Sequence, residues 1–135
     1  MIDKRYQVTL VLGLALLVVS CRANGPELFG TTAIFVGDVR TQTDAAVGGA
    51  NVTLVFTCDA CQGLNPITVT TIANDLGRYR LELHTARQPY LDQGTAKLLF
   101  EAPGFDPDSV TITSVFKTDG FPVDSFQTDI QLVPR

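Results

Sequence analysis

Hydrophobic and polar residues alternate along most of this chain, and the alternation has a period of two. It is clearest at Arg78–Leu83, where Tyr79, Leu81 and Leu83 fall on one side and Arg78, Arg80 and Glu82 on the other. Period two marks a strand with one face in a core and one in water. Just upstream, Asn74-Asp75-Leu76-Gly77 carries turn chemistry. Asn and Asp bond back to their own backbone, and Gly accepts positive φ. The stretch Thr70–Leu83 therefore predicts a hairpin around which the other strands pack.

Six further runs read as strands: Thr32–Arg40, Ala50–Phe56, Ile67–Ile72, Thr95–Glu101, Ser109–Val115 and Ser125–Val133. In the second, Ala50, Val52, Leu54 and Phe56 share one face. The third is built almost wholly from β-branched residues, which fit a pleated surface. Gly37, inside the first, predicts a bulge or a close backbone contact. Loop signals such as Gly48-Gly49, Pro66 and Pro103-Gly104 separate the runs. No stretch beyond the first twenty residues has a helical period. Together these features predict an all-β fold, a seven-stranded antiparallel β-sandwich.

The N-terminus breaks the pattern. Lys4 and Arg5 precede an uncharged, mostly apolar run from Val8 to Val19, followed by Ser20 and Cys21. This is the layout of a signal peptide. The run falls short of the roughly 20 apolar residues that span a bilayer. Val18-Val19-Ser20-Cys21 resembles the lipobox of bacterial lipoproteins. That resemblance implies that Cys21 carries acyl chains such as palmitate, becomes the first residue after cleavage and holds the chain on a membrane. Arg22, where an Asp would favour inner-membrane retention, implies the outer membrane if the cell is Gram-negative, a condition the sequence leaves open. The expected divisions are a leader at 1–20, a lipidated Cys and tether at 21–31, and the sandwich at 32–135.

Charge narrows the partners. Ten basic residues face fourteen acidic ones, for a net charge of −4. Nucleic acid wants a basic face, so it is not an expected partner.

Several motifs then line up in order: Gly37-Asp38-Val39, Gly49-Ala50-Asn51-Val52-Thr53-Leu54, Asp75-Leu76-Gly77-Arg78-Tyr79-Arg80-Leu81 and Ala102-Pro103-Gly104-Phe105. This series resembles the carboxypeptidase regulatory-like domain, which has a transthyretin-like sandwich. The resemblance implies an accessory, non-catalytic module. Two loops depart from that family's pattern by their length, Thr57–Pro66 and His84–Gly94.

Candidate chemistry is sparse. Cys58-Asp59-Ala60-Cys61 suits a local disulfide, favoured in an exported compartment. As a redox motif it lacks a βαβ setting, as a haem site it lacks the following His, and as a zinc site it supplies two ligands of four. The single His, His84, opens a loop and receives no role. Asp106 and Asp108 fall short of the six to eight oxygens that calcium takes. Tyr90, Phe105 and Phe121 fall in loops or turns, where aromatics either cap a core or mark a binding surface.

The expectation is a membrane-anchored lipoprotein that is not an enzyme, needs no cofactor or metal and has no catalytic residue. It would serve as a protein-interaction or structural module with an envelope protein partner. One alternative is a glycan or small-molecule binder using Tyr90 and Phe121; another is a redox partner working through Cys58 and Cys61. Strand parity places the Cys58 loop, the Tyr90 loop and the Phe121 loop at one end of the sandwich, together with the start of the first strand.

Overall fold

Alternation along the chain becomes two sheets whose apolar faces meet. The structure is a computed structural model and describes residues 30–116 and 123–135. Cys21 and Phe121 lie outside the described residues, as does the leader. Among the described residues, eight strands form in chain order: β1 Thr31–Thr41, β2 Asn51–Thr57, β3 Ile67–Ile72, β4 Arg78–Thr85, β5 Thr95–Glu101, β6 Asp108–Thr113, β7 Val123–Gln127 and β8 Ile130–Leu132. One sheet runs β4-β1-β7, with β8 also on β1; the other runs β3-β2-β5-β6. The all-β sandwich is as expected, with eight strands in place of seven.

The extra strand comes from a break in the last predicted run. At Thr128 the backbone leaves the ladder, with its N–H on the Val36 carbonyl (2.9 Å) and its own carbonyl taking the Tyr79 hydroxyl (2.6 Å). The Asp129 carboxylate accepts the Asp38 N–H at 2.9 Å. Gly37 lies beneath this break, and a Cβ there would overlap the Thr128 carbonyl. This is the close backbone contact expected at Gly37. Both β7 and β8 run parallel to β1, so this sheet is mixed instead of purely antiparallel.

The expected hairpin at Thr70–Leu83 does not form. β3 pairs with β2, and β4 pairs with β1, so the intervening turn crosses from one sheet to the other. Its local chemistry is as read. The Asn74 side-chain oxygen accepts the N–H groups of Leu76 and Arg78 at 3.0 Å, and Gly77 has φ +74. Long-range bonds decide the crossing: Ala73 donates to Ala50 on the β2 side, while the Gly77 carbonyl takes the Val39 N–H of β1.

Phe35, Leu54, Phe56, Leu83, Leu98, Phe100 and Leu132 are fully buried between the sheets. Each such side chain contributes roughly 1.5–3 kcal/mol by leaving water. β4 alternates as its sequence requires, with Tyr79, Leu81 and Leu83 inward and Arg78, Arg80 and Glu82 outward. The Tyr79 ring meets Phe100 edge-on at 5.5 Å. Burial, reinforced by the charge of Asp129, pushes its phenol well above the ordinary tyrosine range.

Candidate functional site

The sandwich has two ends of different construction. At one end, Thr57, Thr95 and Thr113 stand side by side on β2, β5 and β6. Cys58 and Cys61 follow, joined by a disulfide with Cα atoms 5.3 Å apart. The Cys61 N–H reaches the Cys58 carbonyl at 3.3 Å, closing a turn around the bond. Both cysteines are buried. A catalytic thiol is presented to solvent in an electropositive setting, and this pair is not.

The structure brings Tyr90 to this same end. Its carbonyl oxygen lies 3.5 Å from the Cys58 sulfur. Tyr90 adopts φ +65 and exposes its ring, while a short 3-10 turn, Leu91–Gln93, tucks Leu91 into the core. Thr31, Arg87, Tyr90 and Phe116 line a shallow recess of about 150 Å³. His84 is held by neighbours, with Nδ1 2.9 Å from the Thr32 hydroxyl and Nε2 3.2 Å from Glu82. The Glu82 carboxyl lies below its ordinary range, first because Arg80 donates a hydrogen bond to it and then through the Arg80 charge.

The opposite end holds a larger cleft, of about 390 Å³. It is built on a tight turn. Ala102-Pro103-Gly104-Phe105 closes with the Phe105 N–H on the Ala102 carbonyl (3.1 Å), and Gly104 has φ +82. Pro before a positive-φ Gly is the signature of a type II turn. The C-terminal residues run back along it. Asp106 donates to the Val133 carbonyl at 2.8 Å, and Arg135 donates to the Gly104 carbonyl at 2.9 Å. This places Phe105, Pro103, Pro107 and Arg135 beside Asn51 and Glu101, which face each other across β2 and β5.

The cleft pairs an apolar surface with a carboxylate, an amide and a guanidinium. Arg135 Nε contacts Asp106 at 3.3 Å, and both side chains are mostly exposed. Such a pair is worth at most about 1 kcal/mol, so the guanidinium exchanges partners at little cost. Asp106 and Asp108 each have a partner within the chain. Asp106 meets Arg135, and Asp108 accepts the Ser109 N–H at 2.7 Å. Among the described residues, no three His, Cys, Asp or Glu side chains converge to hold a metal ion. A third recess, beside Arg40, Asp44 and Asp129, has its carboxylates already engaged by Arg40 and by the Asp38 N–H.

No protein-family model matches the chain. No curated protein matches it either. Solved structures do. The chain is similar to chlorocatechol 1,2-dioxygenase from Pseudomonas putida, with TM-score 0.57 and 13% identity over 77% of this chain and 61% of that one. It is similar to catechol 1,2-dioxygenase from Acinetobacter radioresistens, with TM-score 0.57 and 12% identity over 78% of this chain and 53% of that one. Hydroxyquinol 1,2-dioxygenase from Pseudomonas putida DLL-E4 matches with TM-score 0.53 and 12% identity, over 78% and 57%. This chain spans between 53% and 61% of the length of these three structures. At such identity the likeness is one of fold.

These matches correct three expectations. The resemblance to a carboxypeptidase regulatory-like domain is not upheld; the sandwich is of the kind found in catechol and hydroxyquinol 1,2-dioxygenases. The motifs behind that resemblance are local: a Gly under a crossing strand, a turn before a strand, a Pro-Gly turn. The expected non-enzymatic interaction module falls with it, as do its glycan-binding and redox alternatives. So does the expectation that the chain is not an enzyme, because the matched fold is one that solved enzymes carry.

Sequence reasoning passed over Asn51, Glu101 and Arg135. Asn51 and Glu101 meet only once β2 and β5 pair, and Arg135 arrives only when the C-terminus folds back on Gly104. Phe105 and Pro103 are the cleft residues with a local signal, one as a turn aromatic and the other in a Pro-Gly turn.

Proposed function

We propose that this chain binds small hydroxylated aromatic compounds of the catechol class in the cleft at Phe105 and Arg135. The matched enzymes take their names from catechol, chlorocatechol and hydroxyquinol. The observation that carries the reading is the make-up of the cleft. Phe105, Pro103 and Pro107 offer a surface for a planar ring. Asn51 and Glu101 accept hydrogen bonds from ring hydroxyls, and Arg135 meets the negative charge of a phenolate or a ring carboxylate. Apolar walls with a few converging polar groups are the usual form of a small-molecule site.

Calorimetric titration with catechol, chlorocatechol and hydroxyquinol tests this. Saturable binding at one site is expected, weakened about tenfold by Phe105→Ala and by Arg135→Gln, on the scale of one stacking or charged contact each. Binding that ignores both substitutions contradicts the reading. Oxygen uptake in the same samples reports turnover.

We also propose that Cys21 bears a lipid anchor that places the domain at the cell envelope. The basic start, the apolar run and Val18-Val19-Ser20-Cys21 support this. A disulfide at Cys58 and Cys61 suits the same exported compartment. Cys21→Ala is expected to abolish acyl labelling and to move the protein into the soluble fraction. A wild-type protein without acyl mass contradicts the anchor.

A further inference from the structure

We propose that the free edge of β3 docks a second copy of this chain, strand to strand, across a two-fold axis. The proposal stands apart from the cleft and from the anchor.

Among the described residues, β3 lies at the end of its sheet and pairs with β2 alone. None of its six residues is fully buried, whereas β2 next to it buries Val52, Leu54 and Phe56. Its outer side therefore presents a row of backbone N–H and C=O groups that no strand among the described residues takes up. Such edges template pairing with another strand, and proteins normally guard them with charge, proline or bulges. The edge of the other sheet is guarded: β4 exposes Arg78, Arg80, Glu82 and His84. The far edge of the β3 sheet, β6, begins with Asp108 just after Pro107. β3 has a proline, Pro66, just before it, as β6 has Pro107, but it carries no charge. It reads Ile-Thr-Val-Thr-Thr-Ile, and Asp59 is the one charged residue between Asp44 and Asp75.

A neutral strand of β-branched residues is its own best partner. The chain carries a net charge of −4, so two copies repel except where their meeting surfaces are neutral. Two-fold antiparallel pairing sets each residue of β3 against a residue of the same strand. Like charges set opposite each other oppose such pairing, and β-branched pairs favour it. An axis normal to the sheet keeps the faces matched. Thr68, Thr70 and Ile72, all exposed, stay on the outer face of both copies. With the axis at Thr70, that residue faces its own counterpart and Thr68 faces the counterpart of Ile72. Ile72 and Leu76, among the most exposed large apolar side chains, lie at the end of this edge and are shielded in the pair. The product is one continuous eight-stranded sheet. A two-fold contact is closed, so assembly stops at the dimer.

Sedimentation equilibrium of the full chain over a concentration series tests the proposal, with Thr70→Lys and Thr111→Lys variants beside the wild type. Both threonines are exposed on edge strands of the same sheet, β3 and β6. The expected result is a reversible dimer that Thr70→Lys weakens about tenfold or more and Thr111→Lys leaves alone. Amide exchange on the wild type gives a second readout that needs no variant. Protection in β3 is expected to rise with concentration while that in β6 does not. A monomer at every concentration overturns the proposal. So does a dimer lost in Thr111→Lys but kept in Thr70→Lys, or assembly that grows past two copies.

Discussion

The two ends of the sandwich are closed by different means. One is fastened covalently: Cys58 and Cys61 close a four-residue clasp, with the Tyr90 carbonyl beside the Cys58 sulfur and Leu91 buried in the core. The other is fastened by backbone geometry. Gly77 and Gly104 take positive φ, Asn74 caps two N–H groups, and the C-terminus hydrogen-bonds back onto the Pro103 turn. The clasped end leaves a recess of about 150 Å³, and the geometric end a cleft of about 390 Å³. The clasp spans too short a loop to enclose a site. The turn-built end gathers Asn51, Glu101, Phe105 and Arg135 around its larger cleft.

That difference sets the order of expected effects. Leu81→Ala removes a buried side chain that serves both ends, facing Phe35 across β1 and β4. It is expected to cost about 2–5 kcal/mol in denaturant unfolding. Gly77→Ala attacks the geometric end alone. A Cβ there overlaps the Val39 carbonyl, and the backbone sits at φ +74. A loss of about 3 kcal/mol is expected. Should this variant cost less than breaking the clasp, the contrast between the ends is wrong.

Reduction of the disulfide attacks the other end. Its sequence separation is three, so chain entropy assigns it at most about 2 kcal/mol. Reductant is expected to loosen the Tyr90 region and leave the sandwich folded, as read by amide exchange. Global unfolding in reductant would contradict this.

Tyr79→Phe sharpens the picture at smaller scale. It removes the bond to the Thr128 carbonyl and is expected to cost about 1 kcal/mol. The phenol also has a pH signature. Its pKa is raised in the folded state above the ordinary tyrosine value of about 10, so the folded form holds its proton longer than the unfolded form. Stability from this group is whole below about pH 10 and falls as pH rises beyond it. The Phe variant is expected to lose that part of the alkaline slope. An unchanged slope in Tyr79→Phe means that the phenol does not titrate as its burial requires.

Much of this fold was legible in the sequence, and the limits are instructive. Arg78–Leu83 showed its burial pattern outright, because period two and a single buried face determine each other. Ile67–Ile72 and Thr95–Glu101 match β3 and β5 residue for residue. Pairing was not legible. Asn74–Gly77 has the chemistry of a hairpin turn, yet β3 and β4 part into different sheets, because the choice rests on Ala73 reaching Ala50 and Gly77 reaching Val39. Likewise, nothing local tells that Ser125–Val133 runs parallel to β1 and breaks at Thr128. Parity placed Cys58 and Tyr90 together, which needed only alternation of strand direction. The cleft needed more: Glu101 across from Asn51, and Arg135 laid along Gly104. Those contacts are products of topology, and the residues that make them are unremarkable where they stand in the chain.

The central claim is that the turn-built end, not the clasped end, receives a small aromatic ligand. Amide chemical-shift mapping during a titration with catechol addresses it directly. The account predicts that shifts concentrate at Asn51, Glu101, Phe105 and Arg135 and saturate together. Shifts gathered at Tyr90, Leu91 and Phe116, or no saturable shift at either end, would contradict it.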